Sequence, residues 1–315
     1  MKKSKILLVL ASAALVTACT QRTDSISSSA EDSTSAKMSS TSSESSVSTS
    51  SSSSSVEEVK EMTGSGTKAD PYVISNAYQL ADFNTKANTS TYADKYYSLT
   101  ADITANIEWS PVGSEEIPFT GAFYGNGHSI SGLEITELAS NKEEQYYGFF
   151  GYASFAYIKG LHLKNYTIDL AVNGKNSQIA VGGIVAYGEN TAVHYCSVDY
   201  TKYEVESLQN GTSAFYGGGL VGYLDALEDE EGRTYYCDIL ASSVTGDIIT
   251  DFSQADNVYS LTGGIIADAA SSEGIMSVNN TYFHGSVKGG TYVAGIVQTS
   301  TPILQLLIHM LMVII

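Results

Sequence analysis

Gly182-Gly183-Ile184-Val185 is the stretch around which the chain is organised, because the same motif returns along the sequence. Two glycines followed by two aliphatic residues stand again at Gly218–Val221 and Gly263–Ile266, with variants at Gly148–Gly151 and Ala294–Val297. The equivalent glycines are spaced 35, 36, 45 and 31 residues apart, at Gly148, Gly183, Gly219, Gly264 and Gly295. Repeats of this length are typical of solenoids, propellers and arrays.

The composition of the repeats favours strands. Runs rich in Tyr, Val, Ile and Thr follow the motif at 193–198, 235–239 and 281–283, and these residue types fit pleated sheets. A sustained helical period is missing after about residue 90, which argues against helical repeats. We therefore expect one coil per repeat, with parallel strands stacked about 4.8 Å apart. A β-sandwich with glycine-rich turns is the alternative, and the in-register repetition of the motif disfavours it.

Side-chain alternation within the motif predicts one column of aliphatic side chains. Gly182, Ile184 and Ala186 read small, large, small, and the later copies repeat this order. The small residues are expected to make room in a narrow core for a ladder with Phe149 below it, formed by Ile184, Leu220, Ile265 and Ile296. The opposite side is also aliphatic, so the pattern leaves open which side faces the interior.

The N-terminus has the features of a bacterial export signal. Lys2, Lys3 and Lys5 precede the apolar run Ile6–Val16, which is too short to span a bilayer. Val16-Thr17-Ala18-Cys19 resembles the bacterial lipobox, which implies that residues 1–18 are removed and that Cys19 carries a diacylglycerol and usually an N-acyl chain. Several acyl chains anchor a protein stably, so the expected location is the outer surface of the cell membrane. An ordinary signal peptide with an incidental cysteine is the alternative.

Residues 19–62 are dominated by Ser and Thr and hold too few apolar residues to offset the entropy of ordering. We expect a disordered, passive linker between the lipid and a folded region over 63–302. The chain has a formal net charge of −18, which disfavours nucleic acid and anionic membrane as partners. The charge is compatible with neutral or basic partners, such as host proteins or glycans.

A short helix is predicted at the start of the folded region. Ser75 or Asn76 can cap it, and Ala77, Leu80 and Phe83 share one side. A solenoid needs such a cap because its end coil exposes unpaired backbone and apolar side chains.

Residues Phe119–Leu133, FTGAFYGNGHSISGL, resemble the lead-in motif of bacterial surface proteins with GLUG repeats, except that Tyr124 stands where that pattern usually has Asp. The later motifs resemble the GLUG unit, best at Gly219–Gly222. The resemblance covers roughly residues 64–297 and implies a right-handed parallel β-helix. Similar repeats lie outside the catalytic domain of bacterial immunoglobulin-A-cleaving metallopeptidases and in many other surface proteins.

Catalytic, metal and cofactor sites are not expected. In Gly125-Asn126-Gly127-His128, His128 is a candidate base, but the glycines and Asn126 are better explained by a turn with positive φ at Gly125 and Gly127. The His-Glu-x-x-His motif of metalloproteases is missing from the sequence. Among His and Cys residues, only His194 and Cys196 have ligand-like spacing, and two ligands do not make a zinc site.

Cys196 and Cys237 are predicted to occupy equivalent places in neighbouring coils, since both follow a Tyr. Stacked Cα atoms would then be within disulfide range, and an exported protein meets oxidising conditions. In-register parallel stacking points the two Cβ atoms side by side, so free buried thiols are favoured over a disulfide.

Two further segments interrupt the repeat. The acidic run Glu228–Glu231 lengthens the 45-residue repeat and is expected to form a solvated loop rather than a calcium site. Residues 303–315 contain no charge and no glycine; this anomalous tail is either an apolar plug over the last coil or, in our hypothesis, an out-of-frame end of a truncated chain.

Taken together, these features predict a lipid-anchored surface protein that displays a β-helix for binding or adhesion to a host protein or glycan, without catalysis of its own. One alternative is a fragment of a larger surface enzyme, either a peptidase or a polysaccharide-cleaving β-helix. The other is a passive spacer.

Overall fold

A computed structural model describes residues 59–136, 144–172, 177–207, 212–228, 235–253, 258–271, 274–297 and 306–309. The chain divides into residues 1–55 and 56–315, and every described residue belongs to the second unit. The predicted signal peptide, Cys19 and all but the last four residues of the linker lie outside the described residues.

The described residues form one helix and 25 short strands. In chain order these are β1 Tyr72–Ile74, α1 Ala77–Ala87, β2 Tyr96–Leu99, β3 Ile103–Glu108, β4 Ala122–Tyr124, β5 Ser129–Ile135, β6 Glu144–Tyr147, β7 Phe150–Ser154, β8 Tyr157–Lys159, β9 His162–Val172, β10 Ser177–Gly182, β11 Val185–Glu189, β12 Ala192–His194, β13 Ser197–Ser207, β14 Thr212–Gly218, β15 Val221–Ala226, β16 Tyr236–Leu240, β17 Ser243–Thr245, β18 Ile248–Asp251, β19 Tyr259–Gly263, β20 Ile266–Ser271, β21 Ile275–Asn279, β22 Tyr282–His284, β23 Val287–Lys288, β24 Tyr292–Ala294 and β25 Leu306–His309.

The strands build four parallel sheets. The first sheet has the order β1-β2-β4-β8-β12-β16-β21-β25, and the second β3-β5-β9-β13-β17-β22 with β18 and β23 at its side. The third sheet is β6-β10-β14-β19-β24 and the fourth β7-β11-β15-β20. From β6 onward the chain visits the third, fourth, first and second sheets in turn, and each such circuit is one coil. The prediction of a parallel β-helix is confirmed, and the β-sandwich, an antiparallel architecture, is excluded.

The glycine motif forms the corner between the third and fourth sheets. Backbone hydrogen bonds join successive copies: Phe150 N donates to the Ile184 carbonyl at 2.9 Å, and Ile184 N to the Leu220 carbonyl at 2.9 Å. Leu220 N donates to the Ile265 carbonyl at 2.9 Å, and Ile265 N to the Ile296 carbonyl at 3.1 Å. The motif residues therefore lie one above another along the helix axis.

The glycines are required by the close approach of backbone segments, and this corrects the expectation that small residues make room for side chains. A Cβ atom at Gly182 would overlap the carbonyl oxygen of Val185, and one at Gly219 would overlap the carbonyl oxygen of Gly264. Both sides of the motif are buried, since Ile184 and Val185 are each 0% exposed. Neither side of the motif therefore faces solvent.

Helix α1 covers the N-terminal end of the coils, as predicted. Asn76 is the N-cap, because its side-chain oxygen accepts a hydrogen bond from Gln79 N at 2.9 Å. Leu80 and Phe83 are fully buried. The Phe83 ring lies within 6.5 Å, between ring centroids, of five core aromatic rings, those of Tyr97, Trp109, Phe123, Phe149 and Phe150. The helix thus closes the first coil with an aromatic cluster.

The two cysteines are not in equivalent places, so that part of the cysteine prediction is wrong. Cys196 is level with Ser242 of the next coil, because the Ser242 Oγ accepts a hydrogen bond from Cys196 N at 3.1 Å. Cys237 is level with Thr191 of the preceding coil, because Asp238 N donates to the Thr191 carbonyl at 3.4 Å. Cys196 follows a corner of the coil, and Cys237 precedes the same corner in the next coil. Both are free and buried thiols.

The buried thiols are expected to resist alkylation in the native protein. Burial raises the pKa of Cys196 and of Cys237 to about 12, so the reactive thiolate at pH 8 is about a thousandfold rarer than for an ordinary cysteine. Iodoacetamide labelling followed by peptide mass mapping should modify either residue only after unfolding in guanidinium. Rapid labelling of the native chain would contradict this assignment.

Two segments singled out in the sequence are described only in part. Four residues of the apolar tail form β25, which pairs in parallel with β21 and extends the first sheet. Most of the acidic run Glu228–Glu231 lies outside the described residues.

Candidate functional site

The Gly-Asn-Gly-His motif forms a corner of the coil. Asn126 and Gly127 have φ of 54° and 81°. Gly125 does not have a positive φ, so the expectation for that residue was wrong. Glycine is needed there because a Cβ would overlap the Gly160 carbonyl oxygen. Asn126 Nδ2 donates to the Leu99 carbonyl at 2.8 Å, and His128 N donates to the Gly125 carbonyl at 2.8 Å. The motif residues therefore hold the turn between the first and second sheets.

Asp102 supports the same corner from the coil below. Its Oδ1 accepts hydrogen bonds from Ser129 N at 2.7 Å and Ser129 Oγ at 3.2 Å, and it lies 3.6 Å from His128 Nδ1. The hydrogen bonds from Ser129 lower the pKa of the Asp102 carboxyl below its ordinary value, so it is ionised at neutral pH. The carboxylate thus holds Ser129 and lies beside the His128 ring.

A line of aromatic side chains runs along the outer side of the first sheet, and we call it the tyrosine strip. It comprises Tyr96, Tyr124, Tyr157 and His194, and it ends at Asp238. The ring centroids of successive members are 6.4, 6.1 and 5.2 Å apart, and His194 Nε2 lies 2.8 Å from Asp238 Oδ2. Each member comes from a different strand, β2, β4, β8, β12 and β16 in turn.

The alternation of side chains along each strand explains why the strip lies outside. The intervening residues point into the core and are fully buried: Tyr97, Phe123, Ile158, Val193 and Ile239. The strip members are half-buried. Four strand spacings of about 4.8 Å give the strip a length of roughly 19 Å.

Polar groups accompany the rings of the strip. The Tyr157 hydroxyl and His194 Nδ1 are 3.3 Å apart. Burial raises the pKa of the Tyr124 hydroxyl, so the hydroxyl stays neutral and can both donate and accept. Beside the strip, Lys159 Nζ lies 5.6 Å from the centre of the Tyr195 ring, and Tyr195 is 49% exposed. The strip therefore offers apolar ring surface together with hydroxyl, imidazole, ammonium and carboxylate groups.

A second aromatic cluster lies on the fourth sheet. Tyr152, Tyr187 and Tyr223 stack with centroids 4.7 Å apart at interplanar angles of 17° and 19°. Tyr146 and Tyr216 of the third sheet pack against this stack at 5.3 and 4.9 Å. Burial raises the pKa of Tyr216 to about 12. Because these rings cover each other's faces, the cluster offers less free ring surface to a partner than the tyrosine strip does.

The described residues hold no group of three or more His, Cys, Asp or Glu side chains placed to bind a metal ion. In the same residues, no helix is both long and apolar enough to cross a membrane. The strip presents ring faces and mixed polar groups along one side of the coils.

Sequence reasoning missed the strip because its members share no local motif. They are separated by 28 to 44 residues and come from five strands. The available signal was the Tyr-rich composition of the predicted strands, but the register between coils was needed to place those side chains in one line.

The chain was compared with known proteins, and no protein-family model matches it. It is 35% identical over 135 residues to halomucin of Haloquadratum walsbyi; the match covers 38% of this chain and 1% of that protein, so the chain spans about a hundredth of the relative's length.

Two solved structures show a limited likeness. One is named "putative immunoglobulin A1 protease" from Bacteroides ovatus, with 20% identity, 74% of this chain and 73% of that chain covered, and a TM-score of 0.45. The other is the SRRP of L. reuteri 53608, with 12% identity, 72% and 98% covered, and a TM-score of 0.21. Both scores are below 0.5, so neither likeness bears on the function of this chain.

Proposed function

We propose that this chain is a lipid-anchored, extracytoplasmic display protein whose β-helix binds a host protein or glycan through the tyrosine strip. The lipobox-like sequence ending at Cys19 and the Ser/Thr-rich residues 19–62 support the anchor and the spacer. The observation that carries the binding role is the continuous outer line of Tyr96, Tyr124 and Tyr157, in contact ring by ring.

Aromatic rings on a rigid sheet suit recognition for two reasons. Tyrosine supplies a large contact area at low cost in side-chain entropy, and its hydroxyl forms hydrogen bonds at the same time. The apolar C–H face of a sugar ring or an aliphatic side chain packs on such rings. The parallel strands beneath hold the rings at fixed spacing, so a partner binds a preorganised surface.

Charge narrows the class of partner. The net charge of −18 repels polyanions, and Asp238 places a carboxylate at one end of the strip. A neutral glycan or a neutral to basic protein surface is therefore preferred over sulfated or sialylated chains.

Replacing the two central tyrosines should remove binding without unfolding the protein. For Tyr124→Ala with Tyr157→Ala we expect at least a tenfold loss of affinity for whichever ligand the wild type selects from a glycan array and a panel of extracellular proteins. Tyr78→Ala is the matched control, since Tyr78 is 49% exposed and lies on α1, away from the strip.

The lipid anchor at Cys19 is tested in cells that produce the protein. Cys19→Ala should release the protein, and its binding activity, from the membrane fraction into the medium. Unchanged affinity in the strip double variant would assign the binding to another surface, and the failure of the wild type to bind any ligand would favour the spacer.

A further inference from the structure

A cavity of about 470 Å³ opens on the outer side of the second sheet. It lies where β13 passes the break between β17 and β18 in the next coil. Asp199 pairs with Thr245 and Glu204 pairs with Ile249, so β13 uses one residue more than the next coil over the same span. This difference in length separates the two coils locally and leaves a gap.

Two stacked glycines belong to the lining of the cavity. Gly246 and Gly285, with φ of 122° and 155°, occupy the same place in successive coils, because Gly246 N donates to the His284 carbonyl at 2.9 Å. Both conformations disfavour any residue with a side chain. At both positions the missing side chain makes room for neighbouring protein atoms, since a Cβ at Gly246 would lie 2.9 Å from Tyr200 Cβ and one at Gly285 would overlap the Gly246 carbonyl oxygen.

The polar side chains that line the cavity are Thr201, Lys202, Glu204, Thr245, Asp247 and His284, and we call this site the second-sheet notch. On one side, Lys202 Nζ lies 3.0 Å from Glu204 Oε2 and 2.7 Å from Asp169 Oδ2. The ammonium group is thus held in place by two carboxylates, and it keeps further donor capacity, since ammonium has three donors.

On the other side of the notch, Asp247 lies between the end of β17 and the start of β18. Its Oδ1 accepts hydrogen bonds from Ser286 N at 2.8 Å and from Ser286 Oγ at 2.7 Å. These hydrogen bonds lower the pKa of the Asp247 carboxyl, so it is ionised at neutral pH. Its position is set by the turn, and a carboxylate has lone pairs left to accept from a ligand hydroxyl.

This arrangement offers hydrogen-bond donors and acceptors around one cavity, which matches a ring bearing several hydroxyl groups. We propose that the second-sheet notch binds one neutral sugar residue, with Lys202 donating to ring hydroxyl oxygens and Glu204 and Asp247 accepting from ring hydroxyls. The volume is at the lower end of the roughly 300–1,000 Å³ of small-molecule sites. The lining combines polar side chains with Tyr200, Tyr203 and Ile249, which suits the hydroxyl groups and the apolar C–H face of a sugar.

The charges of the notch discriminate against acidic sugars. Three carboxylates, those of Asp169, Glu204 and Asp247, carry the negative charge at the notch. The positive charges are the ammonium of Lys202 and the more distant ammonium of Lys288. A sugar carboxylate placed here would meet a net negative environment, and like charges disfavour binding. Neutral hexoses and N-acetylhexosamines are therefore expected to bind more tightly than uronic or sialic acids.

The inference does not depend on the tyrosine strip, because the notch lies on the second sheet and uses none of the strip residues. The experiment uses the full chain and the methyl glycosides of glucose, galactose and N-acetylglucosamine, with glucuronic acid as the charged comparison. Saturation-transfer difference NMR detects weak binding of each sugar, and titrations give the affinity.

At least one neutral glycoside should bind, and glucuronic acid should bind at least tenfold more weakly. Lys202→Met removes the donor and keeps the aliphatic stem, and we expect roughly a tenfold loss of affinity. Glu204→Gln, at an exposed position, should reduce the affinity severalfold. Lys164→Met is the matched control on the neighbouring strand β9; this lysine is exposed and outside the notch, so the affinity should not change.

The proposal would be overturned if no neutral sugar gave a saturation signal, if glucuronic acid bound as well as glucose, or if both notch variants kept wild-type affinity. Melting temperatures identify a variant that fails to fold, and Glu204→Gln then carries the test alone. Tyr124→Ala with Tyr157→Ala should leave monosaccharide binding intact, which separates the notch from the strip whichever of the two proposals fails.

Discussion

Replacing Gly219 with alanine is expected to destabilise the β-helix by about 3 kcal/mol or more, or to prevent folding. The added Cβ would overlap the carbonyl oxygen of Gly264 and would lie 2.9 Å from Val244 Cγ1. Gly219 N also donates to the Gly263 carbonyl at 3.1 Å, so the backbone cannot move away without losing the stacking of two coils. Overpacking that side chains cannot relieve costs more than the usual 1–3 kcal/mol.

Gly295 provides a control at the equivalent place in the last copy of the motif. A Cβ there would meet no atom of the described residues within 4 Å, and its φ is not among the positive values. Gly295→Ala should therefore change the free energy of unfolding by no more than about 0.5 kcal/mol. Urea unfolding followed by circular dichroism measures both variants, and equal stabilities for the two would refute the crowding at the motif corner.

Replacing Phe83 with alanine is expected to cost about 3–5 kcal/mol, the range for truncating a large buried aromatic residue. Phe83 is 0% exposed, and its ring lies 4.7 Å from that of Tyr97 and 5.2 Å from that of Phe123. The loss would leave a cavity between α1 and the first coil, where the coil end depends on the helix for its cover.

Tyr78→Ala on the same helix serves as the control, because Tyr78 is 49% exposed and the helix propensity of the new residue is the same. Its stability should stay within about 0.5 kcal/mol of the wild type. The Phe83 variant should also expose apolar surface, which increased binding of a hydrophobic dye would report. A Phe83→Ala protein as stable as Tyr78→Ala would mean that α1 does not cap the coils.

The two substitutions act at different levels of a quasi-one-dimensional structure, in which each coil contacts only its neighbours. Gly219 lies in the middle of the stack, so its substitution separates the coils on either side. Phe83 lies at the end, so its substitution first loosens the terminal coil. Hydrogen exchange of backbone amides in β2 and β4, compared with β15 and β20, would distinguish the two effects.

The sequence by itself determined the architecture and the cap. The motif recurs with its glycines in register among strand-forming residues, and this in-register repetition favoured stacked coils over a β-sandwich with glycine-rich turns. The cap was also readable, since Asn76 is a local signal for a helix start and Leu80 and Phe83 mark one apolar side.

Only the tertiary structure decided how positions in different coils align. Cys196 and Cys237 look alike in sequence, yet Cys196 is level with Ser242 and Cys237 with Thr191. The reason is that the segment between β15 and β16 is ten residues longer than the segment between β11 and β12. The tyrosine strip and the second-sheet notch arise in the same way, from residues tens of positions apart that the inter-coil register brings together. Local patterns encode each strand and turn, whereas the register is set by the packing of the whole stack, which no single repeat contains.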